Sequence, residues 1–123
     1  MLEKLTDDQY NKLMTENKGL GLDAMFVGFE EEFGCIEDNP EIKEMFLEFM
    51  GDLIRIGELK LANWDNFLVG SIEEQIDLFR QAWPKEYDDN DPQKDIHYFW
   101  WLVGAPAGAV WIWEDGYEDW TWW

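Results

Sequence analysis

Apolar residues recur at helical spacing in four stretches of this chain, each bracketed by start and stop signals. Thr6 with Gln9 forms a capping-box pattern, in which hydroxyl and amide satisfy orphan backbone groups. It predicts a helix from about Asp7 to Asn17, stopped by the stretch Gly19 to Gly21. Asp23 can cap a second helix running through Phe33, with Met25, Phe26, Phe29 and Phe33 on its apolar side and Gly34 as its end. Asn39-Pro40 joins a side-chain cap to a proline at the first helical position. Ile42, Met45, Phe46, Phe49, Leu53 and Ile56 then repeat up to Gly57, a left-handed stop, and Gly51 marks close packing. Ser71 with Glu74 gives a second capping box. Ile72, Ile76, Phe79 and Trp83 follow at i, i+4, i+7 and i+11 until Pro84.

The remaining pattern is extended. Glu58 to Ala62 alternates as a short strand, and Phe67-Leu68-Val69 reads as another. Asp91-Pro92 starts a short helix to about Leu102. Asp115-Gly116 is favoured in type I′ hairpin turns, where both central residues take positive φ. A two-residue loop there pairs Trp113 with Glu118, Trp111 with Trp120 and Ala109 with Trp122. Opposed residues share a face, so Trp111, Trp113, Trp120 and Trp122 line one side; Val110, Ile112, Thr121 and Trp123 line the other. The expected fold is α+β, with about four to five helices packed on a small, mostly antiparallel sheet finished by a C-terminal β-hairpin. At 123 residues it fits a single domain, 1–123.

Charge changes the picture. The chain holds 28 Asp and Glu against 9 Lys and Arg, a net charge of −19, yet 17% of its residues are aromatic, including nine Trp. A disordered acidic tail lacks such aromatics, so a folded body is expected. Polyanions such as nucleic acid and anionic membranes need basic residues to replace their counterions. The acidity excludes both as partners and points to a basic protein. Self-repulsion destabilises so charged a compact body, and solubility needs a net charge of only about 2 to 8 in magnitude. Cys35 stands alone, which suits a reducing cytosol. The start MLEKLTDDQY has no signal-peptide pattern. The uncharged run Tyr98 to Trp113 is shorter than the roughly 20 residues of a spanning helix. A cytoplasmic location is expected.

Catalytic and metal signatures are missing. His97 is the lone histidine and lacks the companions of a four-ligand zinc site; its flank of Ile96, Tyr98 and Phe99 suggests a partly buried structural residue. The run Asp88, Asp89, Asn90, Asp91 lacks the glycine and closing glutamate of an EF-hand. Glu114 and Asp115 beside Trp113 are where paired carboxylates for glycoside cleavage would be sought, but two acids at a hairpin turn are ordinary turn residues. No adjacent cation activates Cys35. The chain reads as no enzyme, with no cofactor and no metal. Trp83, Trp100 and Trp64 read as core residues. The triplet Glu30-Glu31-Glu32 reads as a wet helix face, and Lys85 to Asp95, with five acids and two lysines, as a solvated loop.

The segments FLVGSIEEQIDLFRQAWP (Phe67 to Pro84) and PAGAVWIWEDGYEDWT (Pro106 to Thr121) resemble a family of small acidic bacterial proteins catalogued as a domain of unknown function. Some members accompany contact-dependent growth-inhibition toxins and look like their immunity proteins. The resemblance covers the last half of the chain and transfers no functional residues. It implies binding and neutralisation of a cognate toxin domain, a nuclease acting on RNA (tRNA included) or on DNA. From charge and aromatic placement, the expected partner-binding residues are Asp88, Asp89, Asp91 and Asp95 in the loop. Glu114, Asp115, Glu118 and Asp119 surround the hairpin, with Trp120 and Trp122 as anchors of the kind that dominate interfaces. The competing readings are an acidic nucleic-acid mimic or adaptor for another basic protein, and an aromatic carbohydrate-binding module.

Overall fold

The computed structural model describes residues 5–121, which form five helices and a four-stranded antiparallel sheet. The order is α1 (Asp7–Asn17), α2 (Leu22–Phe33), α3 (Ile42–Arg55), β1 (Leu59–Asn63), β2 (Asn66–Phe67), α4 (Ile72–Ala82), α5 (Trp100–Val103), β3 (Gly108–Ile112) and β4 (Glu118–Trp120). The strands lie in the order β2-β1-β3-β4. This is the expected α+β arrangement. Among the described residues, no helix is long and apolar enough to cross a membrane.

Local chemistry sets most boundaries. Both capping boxes form: Gln9 N donates to Thr6 Oγ1 at 3.1 Å, and Glu74 N to Ser71 Oγ at 3.1 Å, with the reciprocal side-chain bonds in place. Ser71→Ala is expected to cost about 1 kcal/mol, read as a lower urea midpoint at unchanged slope. Two starts differ from expectation. Gly21, not Asp23, occupies the cap of α2, leaving the Asp23 carboxylate in the first turn, where it favours the helix dipole. The Asn39 side chain donates to Cys35 O at 3.0 Å, closing a turn instead of capping, and α3 begins at Ile42. Gly51 packs as expected: a Cβ there would meet Ile72 and Ile76 of α4 at 3.7 Å.

The segment after Asp91 is a series of turns, and only Trp100–Val103 is helical. Asp91 Oδ1 accepts from Gln93 N. Asp95 then restarts the chain: its carboxylate accepts from Phe99 N, and its carbonyl from Tyr98 N and Trp100 N. Aspartate side chains compete with helix bonds in this way, and the turns carry Ile96, Trp100 and Trp101 into the core.

The hairpin register is shifted by one residue. Val110 pairs with Trp120, Trp111 with Asp119 and Ile112 with Glu118. Glu114 to Gly116 form a three-residue loop, closed by Gly116 N to Trp113 O at 2.8 Å and Trp113 N to Tyr117 O at 3.0 Å. Only Gly116 takes positive φ, +85°. Asp115 instead accepts from Tyr117 N through its side chain, which holds it out of the conformation a type I′ turn requires. This matches a type I turn with a glycine bulge. One residue of slip exchanges the faces, so the expected four-tryptophan face does not exist. Trp111 points inward with Ala109, Leu59 and Leu61, all buried, while Trp120 lies on the opposite face with Val110. Phe67 pairs with Ala62 on β1, but Val69 leaves the sheet for the turn at Gly70.

The core lies between the sheet and the helices and is dominated by rings. Trp101 meets Phe26, Phe46, Phe79, Trp83 and Trp100 at centroid distances of 4.9–6.4 Å. The buried indoles keep hydrogen-bond partners: Trp101 Nε1 donates to Ile96 O and Trp111 Nε1 to Leu20 O, both at 2.7 Å. Trp64 departs from its expected core place. It is exposed in the β1–β2 turn at φ 58°.

Candidate functional site

Carboxylates occur on every long helix, and one band of them lines a groove. It is assembled around α2, whose apolar side enters the core while its acids face outward. Because Gly28 has no side chain, α1 and α2 approach closely: a Cβ there would sit 2.8 Å from Asn17 Oδ1. Beside this contact the two helices leave a groove of about 710 Å³. Its wall carries Glu16 of α1 and Asp23, Glu31 and Glu32 of α2, over Leu20, Ala24, Val27 and Tyr98. Lys12 donates to Glu32 at 2.8 Å, whereas Glu16, Asp23 and Glu31 form no hydrogen bond or salt bridge with the described residues.

At one end of the groove stands His97, which ties α2 to the acidic loop. Its Nδ1 lies 3.1 Å from Asp89 Oδ1, and its Nε2 lies 3.1 Å from Glu30 Oε2 and 3.7 Å from Glu37 Oε1. Glu30 is almost buried and also accepts from Ile36 N. A ring with carboxylates at both nitrogens is satisfied only when both carry protons. Partial burial opposes that charge, but the bonds to Asp89 and Glu30 and the nearby Glu37 outweigh it, so the His97 pKa lies above its ordinary value. Among the described residues, Asp89, Asp95 and His97 have ligand atoms within 4.8 Å of one another, as do Glu30, Cys35 and Glu37; a cation at the first group would have to displace a proton from His97. Cys35 is exposed, and its thiol pKa is raised by local desolvation and by Glu30, Glu37 and Asp38.

At the groove's other end, the turn Lys18 to Leu20 leads to the hairpin. The Lys18 ammonium sits 4.6 Å from the Trp113 ring centre and pairs with Glu58, and Trp113 Nε1 donates to Asp119 at 3.1 Å. Residues 54–121 match the family described as protein of unknown function, DUF596. The chain belongs to that family. Both segments carrying the sequence resemblance lie inside the matched region. An uncharacterized protein conserved in bacteria, from Neisseria meningitidis, has a solved structure 32% identical in sequence, with a TM-score of 0.76 over 92% of this chain and 87% of that one. The likeness therefore extends through the N-terminal helices. No curated protein matches the sequence.

This DUF596 fold places the expected partner-binding residues unequally. Asp88 and Asp89 are exposed and Asp91 partly so, with Asp88 and Asp91 shaping the loop through bonds to Asn90 N and Gln93 N. Asp95 is buried at 5% exposure, its carboxylate committed to Phe99 N, so it does not belong to the solvent-facing set. Glu114, Asp115 and Glu118 are exposed, while Asp119 is half-buried beneath Trp113. Trp120 is half-buried against Phe67, at 5.1 Å between ring centres, and Lys60 lies over that phenylalanine. Trp122 lies outside the described residues. The structure adds Glu16, Asp23, Glu31 and the His97 bridge. The sequence offered one clue to the bridge, a lone histidine in a strongly acidic chain.

Proposed function

We propose that this protein is a non-enzymatic, cytoplasmic immunity protein that binds and neutralises a cognate toxin domain, a nuclease acting on RNA or DNA. The observation that carries the reading is the acidic band beside α2. It runs from Asp88 and Asp89 past the His97 bridge to the α1–α2 groove, and the turn at Lys18, which holds no acid, separates it from the acids of the hairpin. Nuclease domains present basic clefts to polyanionic substrates. A negative surface steers association with such a cleft and covers it as nucleic acid would. The half-exposed aromatics Trp113 and Trp120 supply apolar contact that slows release. The kinship to a bacterial family is consistent with this role and names no activity.

The test is co-purification with the toxin domain encoded beside this gene, followed by a nuclease assay. A stable complex with activity suppressed at least about tenfold is expected. No complex, or a complex with full nuclease activity, refutes the assignment.

A further inference from the structure

We propose that the groove between α1 and α2 seats a cationic, amphipathic peptide segment of the partner, its Lys or Arg heads meeting Glu16, Asp23 and Glu31. The proposal rests on the reading of this protein as a binder of a basic toxin domain and names where that domain engages.

Two features of the groove select this occupant, and a third shapes its floor. First, its acids outnumber its cations, four carboxylates facing Lys12 and His97. The cleft between α3 and α4 also holds acids, but Arg80 there binds Glu44 and Asp77, and the corner at Glu30 and Asp89 is bridged by His97. In the groove Lys12 binds Glu32 and acts on Glu16 at longer range, while Asp23 and Glu31 have no basic partner among the described residues. Second, the floor is apolar. Leu20 and Tyr98 are exposed there, with Ala24 and Val27 between them. Long basic side chains lay aliphatic stems along such a floor while their heads reach a charged rim. Arginine adds a planar fork matched to carboxylates. Third, Asn17 is buried at 4% exposure and lines the same groove. Its Nδ2 donates to Leu13 O at 2.7 Å, while its Oδ1 accepts no hydrogen bond from the described residues. That oxygen faces Gly28, where a Cβ would sit 2.8 Å from it, so the amide closes the floor between the two helices.

Spacing argues for a polypeptide. Asp23 and Glu31 are eight residues apart on α2, about 12 Å along the axis at 1.5 Å per residue. One compact cation cannot reach both, whereas two basic side chains on one segment can.

The probe is the toxin domain encoded beside this gene, inactivated in its active site and titrated calorimetrically at about 150 mM salt, where distant charges are screened. Two variants address the groove: the triple change Glu16→Lys, Asp23→Lys, Glu31→Lys, and Ala24→Trp, which fills the floor without altering charge. The control Asp8→Lys, Glu48→Lys, Glu73→Lys changes net charge equally on other faces. Circular dichroism confirms folding, and Ala24→Trp, at an exposed helical position, keeps the test usable if the triple variant unfolds. Each groove variant is expected to weaken binding at least 100-fold and the control less than tenfold. Wild-type binding with both groove variants within threefold overturns the groove and leaves the immunity reading standing. No wild-type binding overturns both. Tight binding of spermine that does not compete with the toxin domain makes the groove a polyamine site and also overturns the proposal.

Discussion

Truncating Trp101 to alanine is expected to lower the free energy of unfolding by about 3–5 kcal/mol, the range for removing a buried large aromatic. The ring is 2% exposed and stands at the centre of the aromatic core, touching residues of α2, α3, α4 and α5 together. Those neighbours belong to four different elements, so none can collapse into the vacancy without pulling its helix along. Removal also leaves the Ile96 carbonyl without its indole donor. Against a typical domain stability of about 5–15 kcal/mol, such a loss brings the protein close to unfolding at growth temperature. Urea denaturation measures it. Trp113→Ala, on the exposed hairpin, is the comparison and should cost far less. A loss below about 1 kcal/mol for Trp101→Ala shows that the rings do not interlock as described.

His97→Gln is expected to destabilise the protein at pH 6 and much less at pH 9. The ring carries two charge-assisted contacts, to Asp89 and Glu30. Hydrogen bonds to charged groups contribute about 1.5–3 kcal/mol each, which partial exposure reduces to about 1–2 kcal/mol for the pair together. The sign follows from the raised pKa. A histidine whose folded pKa lies above the unfolded value of about 6.5 stabilises fully below that value. The contribution fades as pH rises through the folded pKa and the proton leaves. Above it, the neutral ring can donate to only one carboxylate, and glutamine does nearly as well. Chemical denaturation of both proteins across pH 6 to 9 tests this. A gap that stays constant, or widens toward alkaline pH, rules out the charged ring as the bridge.

The helices were legible because their determinants are local. Thr6 with Gln9, and Ser71 with Glu74, bond within one turn, and Pro84 and Gly57 stop the chain by their own geometry. The hairpin register was not, because it hinges on whether Asp115 takes a left-handed conformation. A side-chain bond to Tyr117 N decides that, along with the demand that Trp111 point inward. The helix expected after Asp91 failed for a similar reason, since Asp95 has two acceptors that capture three amides and break the run. The acidic band was legible only as excess charge. Glu30, Glu31 and Glu32 look alike in sequence, yet one turns inward to His97, one borders the groove and one pairs with Lys12. Glu30 and His97 stand 67 residues apart, a separation that no local pattern reports.

Cys35 adds a practical consequence. Sulfhydryl groups attack disulfides, peroxides and alkylating reagents as anions. Local desolvation and, after it, the acids around this one favour its protonated, sluggish form. Joining two copies through it would also force two bodies of charge −19 into contact. An accessible lone sulfur that would invite cross-linking on most surfaces is thus shielded by the field around it, and the protein should persist as a reduced, uncrosslinked species under mild oxidative stress.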